Sequence, residues 1–239
     1  MLFSVEGNIG SGKSTFCNYL RQHFTTYYNV HENKTYSVYV VDEPVDEWVS
    51  IKDNNGLNLL ENFYRFPQKY SYCFQMTAYI SRLSNLKKIL KKASVNDIII
   101  TERSVFSDYN VFAKMLYDSG KINSIEYQCY IKWFEHFLED IPPIFYIYIK
   151  TFFANCHDRV INRARQGENP ISVDYLKMCE KYHEDWLSKE SHIIVLDGNK
   201  SVDYHHEYLN RIKHYINYIT DAALYADELE RSTKYFKLS

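Results

Sequence analysis

Five short apolar runs punctuate the chain, separated by longer stretches in which apolar side chains return every three or four residues. The runs are Leu2-Phe3-Ser4-Val5, Val38-Tyr39-Val40-Val41, Ile98-Ile99-Ile100-Thr101, Ile144 to Ile149 and Ile193 to Leu196. Most are continuously apolar, the pattern of parallel strands covered on both faces. The intervening stretches are long enough for crossover helices. Helices are predicted from Thr15 to about Phe24, over Pro67–Lys92, and over 123–139 and 171–187. In the second of these, Tyr70, Phe74, Thr77, Ala78, Ile80 and Leu83 recur near helical spacing and read as core-facing. Leu209, Ile212, Ile216 and Ile219 form a last helical stripe, and the charged residues 220–239 read as a short helix with a loose tail. The prediction is α/β: one domain over 1–239, a five-stranded parallel sheet flanked by helices.

Composition narrows the classes. At 239 residues, 46% hydrophobic and 24% charged, the chain suits one well-buried α/β domain. Its 28 basic and 30 acidic residues leave a formal charge of −2, which argues against a general nucleic-acid or membrane-surface binder. No apolar stretch approaches the length of a membrane span. The first residues read directly as a core strand, so no signal or transit segment is expected. The cysteines, Cys17, Cys73, Cys129, Cys156 and Cys179, are odd in number and unpaired in spacing, as in a reducing, cytoplasmic compartment. His205-His206 has no partner at ligand spacing and reads as a solvated helix face.

The first strand and first helix enclose Gly7-Asn8-Ile9-Gly10-Ser11-Gly12-Lys13-Ser14, a match to G-x-x-x-x-G-K-[ST], followed by Thr15. Such a loop leaves a buried strand, turns tightly and enters a helix whose free N–H groups face a phosphate. Lys13 would reach the terminal phosphates of a nucleoside triphosphate, and the Ser14 hydroxyl would help hold Mg²⁺.

Two further charged motifs fall at strand ends, where ligands sit in an open parallel sheet. The second strand runs into Asp42-Glu43-Pro44, the third into Glu102-Arg103-Ser104. Phosphoryl transfer to a hydroxyl needs a proton acceptor, a metal-binding carboxylate and positive charge over the migrating group. Glu43 suits the first role, Glu102 the second, and Arg103 would position Glu43 or the phosphate. A strand-end ion pair or a solvated loop is the other reading of each. Arg159, Arg163 and Arg165 precede Gln166-Gly167-Glu168-Asn169-Pro170, which suggests a cation-bearing lid over about 159–170 closing on the triphosphate, or a solvated basic helix end.

Taken in order, these motifs resemble the deoxynucleoside kinases of the deoxycytidine/deoxyguanosine kinase group. The resemblance runs from Leu2 to about Leu196 and includes the Gly7–Ser14 loop, Glu43-Pro44-Val45 with Trp48, Phe74-Gln75 with Ser81-Arg82, Glu102-Arg103-Ser104 with Ser107-Asp108, the arginine lid, and Lys181 to Trp186. It implies a P-loop kinase fold and transfer of the γ-phosphate of ATP or another triphosphate, with Mg²⁺, to the 5′-hydroxyl of a deoxynucleoside in nucleotide salvage. It further implies that Glu43 is the base at that hydroxyl and that Gln75 hydrogen-bonds the nucleobase edge. Phe74, Trp48 and Phe112 would enclose the base, and Tyr64 and Glu168 would bind the 3′-hydroxyl. The Asp197-Gly198-Asn199 loop lies where the family holds the donor base. Ala78, Arg82 and Asp108 go, in this group, with deoxycytidine and purine deoxynucleosides; an Arg82–Asp108 pair would fill the space a thymine methyl needs. A homodimer paired through helices and feedback inhibition by a deoxynucleoside triphosphate are also implied; the apolar-rich helices at 67–92 and 123–139 could supply the interface, the other reading being that all of their apolar faces pack within the chain.

Two alternatives stand beside this reading. A nucleoside monophosphate kinase, such as a thymidylate kinase, would share the fold and lid but needs extra basic residues near the acceptor; Glu43-Pro44 and Tyr64 favour an uncharged one. A non-catalytic subunit of the same fold would be expected to have eroded the phosphate loop, Glu43 or the lid, and all are intact.

Overall fold

The computed structural model describes residues 1–30, 32–138, 141–163 and 171–236, with side chains through residue 222. The five expected parallel strands are present as β1 (Leu2–Glu6), β3 (Lys34–Val41), β4 (Ile98–Glu102), β5 (Ile144–Lys150) and β6 (Ile193–Asp197). Among the described residues the sheet has six strands, however, not five: β2 (Thr26–Asn29) pairs antiparallel with β3 at one edge, giving the order β2-β3-β4-β1-β5-β6. The expected run at Val38–Val41 is only the parallel half of β3; its first half, Lys34–Ser37, forms the hairpin with β2. The turn between them places Asn33 at a φ of 51°, a conformation asparagine tolerates better than most residues.

Each central strand sorts its side chains by the two-residue period of extended chain. Phe3, Val5, Ile98, Ile100, Ile147 and Ile149 face α1 (Lys13–His23) and the long last helix, α10 (His205–Phe236), through Phe16, Leu20, Leu209, Ile212 and Ile216. On the opposite face Leu2 and Ile99 meet Leu86 of α4 (Pro67–Leu90), and Tyr146 and Tyr148 meet Trp186 and Leu187 of α9 (Val173–Leu187). Between β3 and α4 lie α2 (Val45–Ser50) and α3 (Leu59–Arg65). Asn58 caps α3 in a reciprocal box with Glu61, fixing the direction in which Phe63 and Tyr64 leave the helix. After β4 come α5 (Val105–Ser107), a wider π-turn over Asp108–Ala113, and α6 (Lys114–Asp118). Then follow α7 (Ser124–His136) and, after β5, α8 (Phe153–Arg163).

Three smaller expectations are corrected. Ile80 of α4 is not core: it is 48% exposed. His205 does not decorate a solvated face; its ring packs edge-on against Phe16 and Tyr19, while His206 is exposed. Residues from 220 onward continue α10 as far as Phe236 rather than forming a separate short helix. Among the described residues, no helix is long and apolar enough to cross a membrane.

Candidate active site

β1 is flanked by β4 on one side and β5 on the other, so the chain's connections leave it in opposite directions and open a crevice beyond its carboxyl end. The phosphate loop occupies this crevice. Gly10 adopts a φ of 79°, and a Cβ there would lie 2.4 Å from the Cys156 carbonyl oxygen, so loop and α8 approach more closely than any side chain permits. The Asn8 carbonyl accepts a hydrogen bond from Lys13 Nζ at 2.7 Å, and the Asn8 amide donates to the Leu176 carbonyl at 2.9 Å. The Ser11 carbonyl accepts from Thr151 Oγ1 and Arg159 Nη1, tying the loop to β5 and α8. Burial, helped by the nearby Arg103 charge, pushes the Lys13 pKa down to about 8. Its ammonium therefore sits where an anion would stabilise it. The Ser11 hydroxyl is buried with no hydrogen-bond partner among the described residues.

A cluster of opposite charges fills the crevice floor. Arg82 of α4 donates to Asp108 from Nε at 2.9 Å, to Glu43 Oε1 from Nη2 at 3.1 Å, and to the Glu102 carbonyl from Nη1 at 3.1 Å. Arg103 reaches the same Glu43 oxygen from Nε at 3.3 Å, with its guanidinium 4.8 Å from the centre of the Phe112 ring. Burial alone would raise the Glu43 carboxyl pKa, but Arg82, Arg103 and Lys13 outweigh it and hold the group below its ordinary value. Glu102 goes the other way: burial, with the Glu43 charge beside it, raises its carboxyl despite the opposing effects of Lys13, Arg103 and a 2.7 Å hydrogen bond from Ser14 Oγ. Two carboxylates with opposite displacements share one site: Glu43 is held ionised, while Glu102 is biased toward its neutral form.

The cavity holding these groups has a volume of about 380 Å³. One end is the phosphate loop, with Ile9, Gly10, Gly12, Lys13, Ser14, Thr15, Arg159 and Arg163 on its wall. The other end is largely aromatic: Phe74 stacks on Phe63 at 4.5 Å between ring centres and meets Trp48 edge-on at 5.3 Å. Trp48 is fixed by a 2.9 Å hydrogen bond from its indole N–H to Ser81. Tyr64, Ala78, Phe112 and the cluster of Glu43, Arg82, Glu102, Arg103 and Asp108 complete this wall. The structure thus brings most of the sequence-predicted residues around one space. Gly7, Asn8, Ser11 and Gln75 are not among the residues on its wall. Gln75 is 1% exposed, and its Oε1 has no partner among the described residues, an unsatisfied acceptor beside Phe74. Arg165 and Glu168 lie outside the described residues.

Three lining residues were not foreseen: Leu60, Phe63 and Tyr175. Phe63 and Leu60 share a face of α3 with Tyr64, a helix too short for its pattern to be read. Tyr175 sits in the first turn of α9, held by a 3.2 Å hydrogen bond from its backbone N–H to the capping Ser172 hydroxyl. The Ser172 cap was the one available signal, and it marks the helix start but not its aim.

A second cavity of about 180 Å³ lies on the far side of the phosphate loop, between Ser11, Gly12, Thr15 and Phe16 and the segment following β6, including Gly198, Lys200, Ser201 and His205. Arg159 lines both cavities.

Comparison with known proteins places this chain in a family. The deoxynucleoside kinase family model matches residues 3–221. A probable deoxycytidine kinase of fowlpox virus is 38% identical over 208 residues, covering 84% of this chain and 79% of its own length. Deoxycytidine kinase 1 of Xenopus laevis is 32% identical over 203 residues, covering 77% and 72%. Human deoxycytidine kinase is 30% identical over 246 residues, covering 90% of each chain. The chain belongs to the deoxynucleoside kinase family and is an ATP-dependent kinase that phosphorylates deoxynucleosides.

Proposed function

We propose that the cavity holding Glu43 takes deoxycytidine or a purine deoxynucleoside, with its 5′-hydroxyl at Glu43 and its base between Trp48, Phe74 and Phe112. The observation that carries this reading is the charge balance around Glu43. Arg82 and Arg103 are matched by Glu43 and Asp108, so among the described residues the acceptor half has no surplus cation for an acceptor phosphate. An uncharged acceptor is favoured over a nucleoside monophosphate. Both guanidinium contacts fall on Glu43 Oε1, and the proposal gives Oε2 the hydroxyl. With its pKa depressed, Glu43 is ionised at neutral pH and can accept the hydroxyl proton as the oxygen attacks phosphorus.

Gln75 would meet the base edge through the amide whose oxygen is unsatisfied and can accept from a base N–H. The Arg82–Asp108 pair occupies the space beside it, so thymidine is expected to be a poor substrate. Tyr64 is assigned to the sugar 3′-hydroxyl. The triphosphate would lie along Gly7–Thr15 under Arg159 and Arg163, with the donor base in the second cavity beside Gly198. Ser14 and Glu102 would hold Mg²⁺. No group of three or more His, Cys, Asp or Glu gathers at metal-binding spacing among the described residues, so the ion would be completed by phosphate and water oxygens. Bound there, the ion would neutralise charge on the transferred group.

A homodimer through α4 and α7 is proposed on the exposure of Ile80, Ile125 and Trp133, which are 48%, 72% and 48% exposed. The five free cysteines favour a reducing, cytoplasmic setting, and residues 1–239 are proposed to act as one unit.

Glu43→Gln tests the assignment. It keeps the shape and removes the proton acceptor, so kcat should fall on the order of 100- to 10,000-fold while the nucleoside still binds. Turnover at the wild-type rate refutes the role.

A further inference from the structure

Arg103 is a non-glycine residue at a φ of 63°, in the left-handed region that its side chain disfavours. Its guanidinium must nevertheless sit against Glu43, and the surroundings determine how. The backbone is pinned from β1 on both sides. Arg103 N–H donates to the Val5 carbonyl at 3.0 Å. The next residue, Ser104, donates to the fully buried Glu6 carboxylate from its backbone N–H at 2.9 Å and its hydroxyl at 2.7 Å. Ser4 and Ser107 donate to the same carboxylate. The side chain is then held by three groups: Glu43, the Phe112 ring, and the imidazole of His183 on α9, whose Nε2 lies 3.3 Å from Arg103 Nη1.

The tautomer of His183 follows from its other contact. Nδ1 lies 2.6 Å from the Cys179 carbonyl oxygen, which can only accept, so Nδ1 carries the proton. Nε2 is then a lone pair, the one kind of atom that a guanidinium N–H can use. Burial and the adjacent Arg103 charge both push the His183 pKa well below its ordinary value, which keeps the ring neutral and the lone pair available.

We propose that His183 is a positioning residue for phosphoryl transfer: its Nε2 accepts from Arg103 and aims the guanidinium at Glu43. α9 begins just before Tyr175, another wall of the cavity, so one helix supports both a side chain facing the cavity and the group that aims its arginine. The inference rests on the reading of Glu43 and Arg103 as the working pair.

Two variants separate this role from simple packing, because each keeps one half of the imidazole. His183→Gln places an amide oxygen near the Nε2 position and gives up the donation to Cys179. His183→Asn keeps a donor near the Nδ1 position and places nothing opposite Arg103. Displacing a reacting group by about 1 Å costs on the order of 100-fold in rate. With Glu43 and Phe112 still in contact, H183N should lower kcat about tenfold, with KM for the nucleoside nearly unchanged. H183Q should stay within about threefold of wild type. Rates are divided by the folded fraction from circular dichroism, and R103K is run alongside. If H183N is as fast as or faster than H183Q, the contact with Cys179 or the packing matters instead, and the proposal is overturned. If R103K itself retains the wild-type rate, Arg103 needs no aiming, and the reading of the working pair fails together with this one. If R103K is impaired while H183N is not, only the positioning role fails.

Discussion

The stability losses from removing Arg82 and from removing Asp108 should sum to more than the loss from removing both together. Arg82 and Asp108 are 6% and 1% exposed, and the guanidinium is the principal partner of the Asp108 carboxylate. Arg82→Leu leaves the buried Asp108 without its ion-pair partner and strips Glu43 of one of its two guanidiniums. Breaking a buried pair from one side costs about 3–5 kcal/mol. In a chain of this length that corresponds to a fall of roughly 6–20 °C in Tm, at about 2–4 °C per kcal/mol. Asp108→Ala should cost less, because Glu43 and the Glu102 carbonyl still accept from Arg82. The double variant R82L/D108A removes both charges and should recover about 1–3 kcal/mol relative to the sum of the singles. The assay is thermal unfolding of the four proteins, followed by kcat/KM for thymidine and deoxycytidine. The double variant should also show a raised thymidine-to-deoxycytidine ratio, since it opens the space the pair fills. Strict additivity of the two stability losses, with an unchanged substrate ratio, would refute the reasoning on both counts.

Two other outcomes follow from single atoms. Gln75→Leu removes a buried acceptor that has no partner, and an unsatisfied acceptor costs about 1–3 kcal/mol, so the ligand-free protein should gain about 1 kcal/mol while deoxynucleoside affinity drops about tenfold or more; calorimetry of melting and binding reads both, and a stability loss would contradict the reading. His183 is buried and neutral, so below an unfolded-state pKa of about 6.5 the unfolded chain takes up a proton that the folded protein does not. Stability should therefore fall with pH below that value, and between pH 7 and 5 the wild type should lose about 2 kcal/mol more than H183Q, as measured by denaturant midpoints; equal slopes would show that the imidazole is not held neutral.

Most of the site was legible because its residues sit where chain chemistry leaves few alternatives. The lysine-bearing loop between a strand and a helix, and the acidic residues at strand ends, announce their position by spacing alone. Five strands were legible from continuous apolar runs. β2 was missed because its Thr26-Tyr27-Tyr28-Asn29 alternates only partly and carries a buried asparagine. The way Arg82 bridges Glu43 to Asp108 was not visible either: a pairing with Asp108 was expected, but the reach to Glu43 depends on how α4 crosses the end of β3. His183 could be quoted as part of a motif, yet its contact with Arg103 needs two residues 80 positions apart to be brought together. Tyr175 and Phe63 are aromatics among many in a chain with 23 tyrosines and 14 phenylalanines, so no local signal separates pocket wall from core.

The charge balance of the acceptor half carries the account, and acceptor choice tests it most directly. Initial rates of γ-phosphate transfer from labelled ATP, measured side by side for deoxycytidine and deoxycytidine 5′-monophosphate, should show transfer to the nucleoside and none above background to the monophosphate. Faster transfer to the monophosphate would mean that Arg82 or Arg103 serves an acceptor phosphate rather than Glu43, and would contradict the central claim.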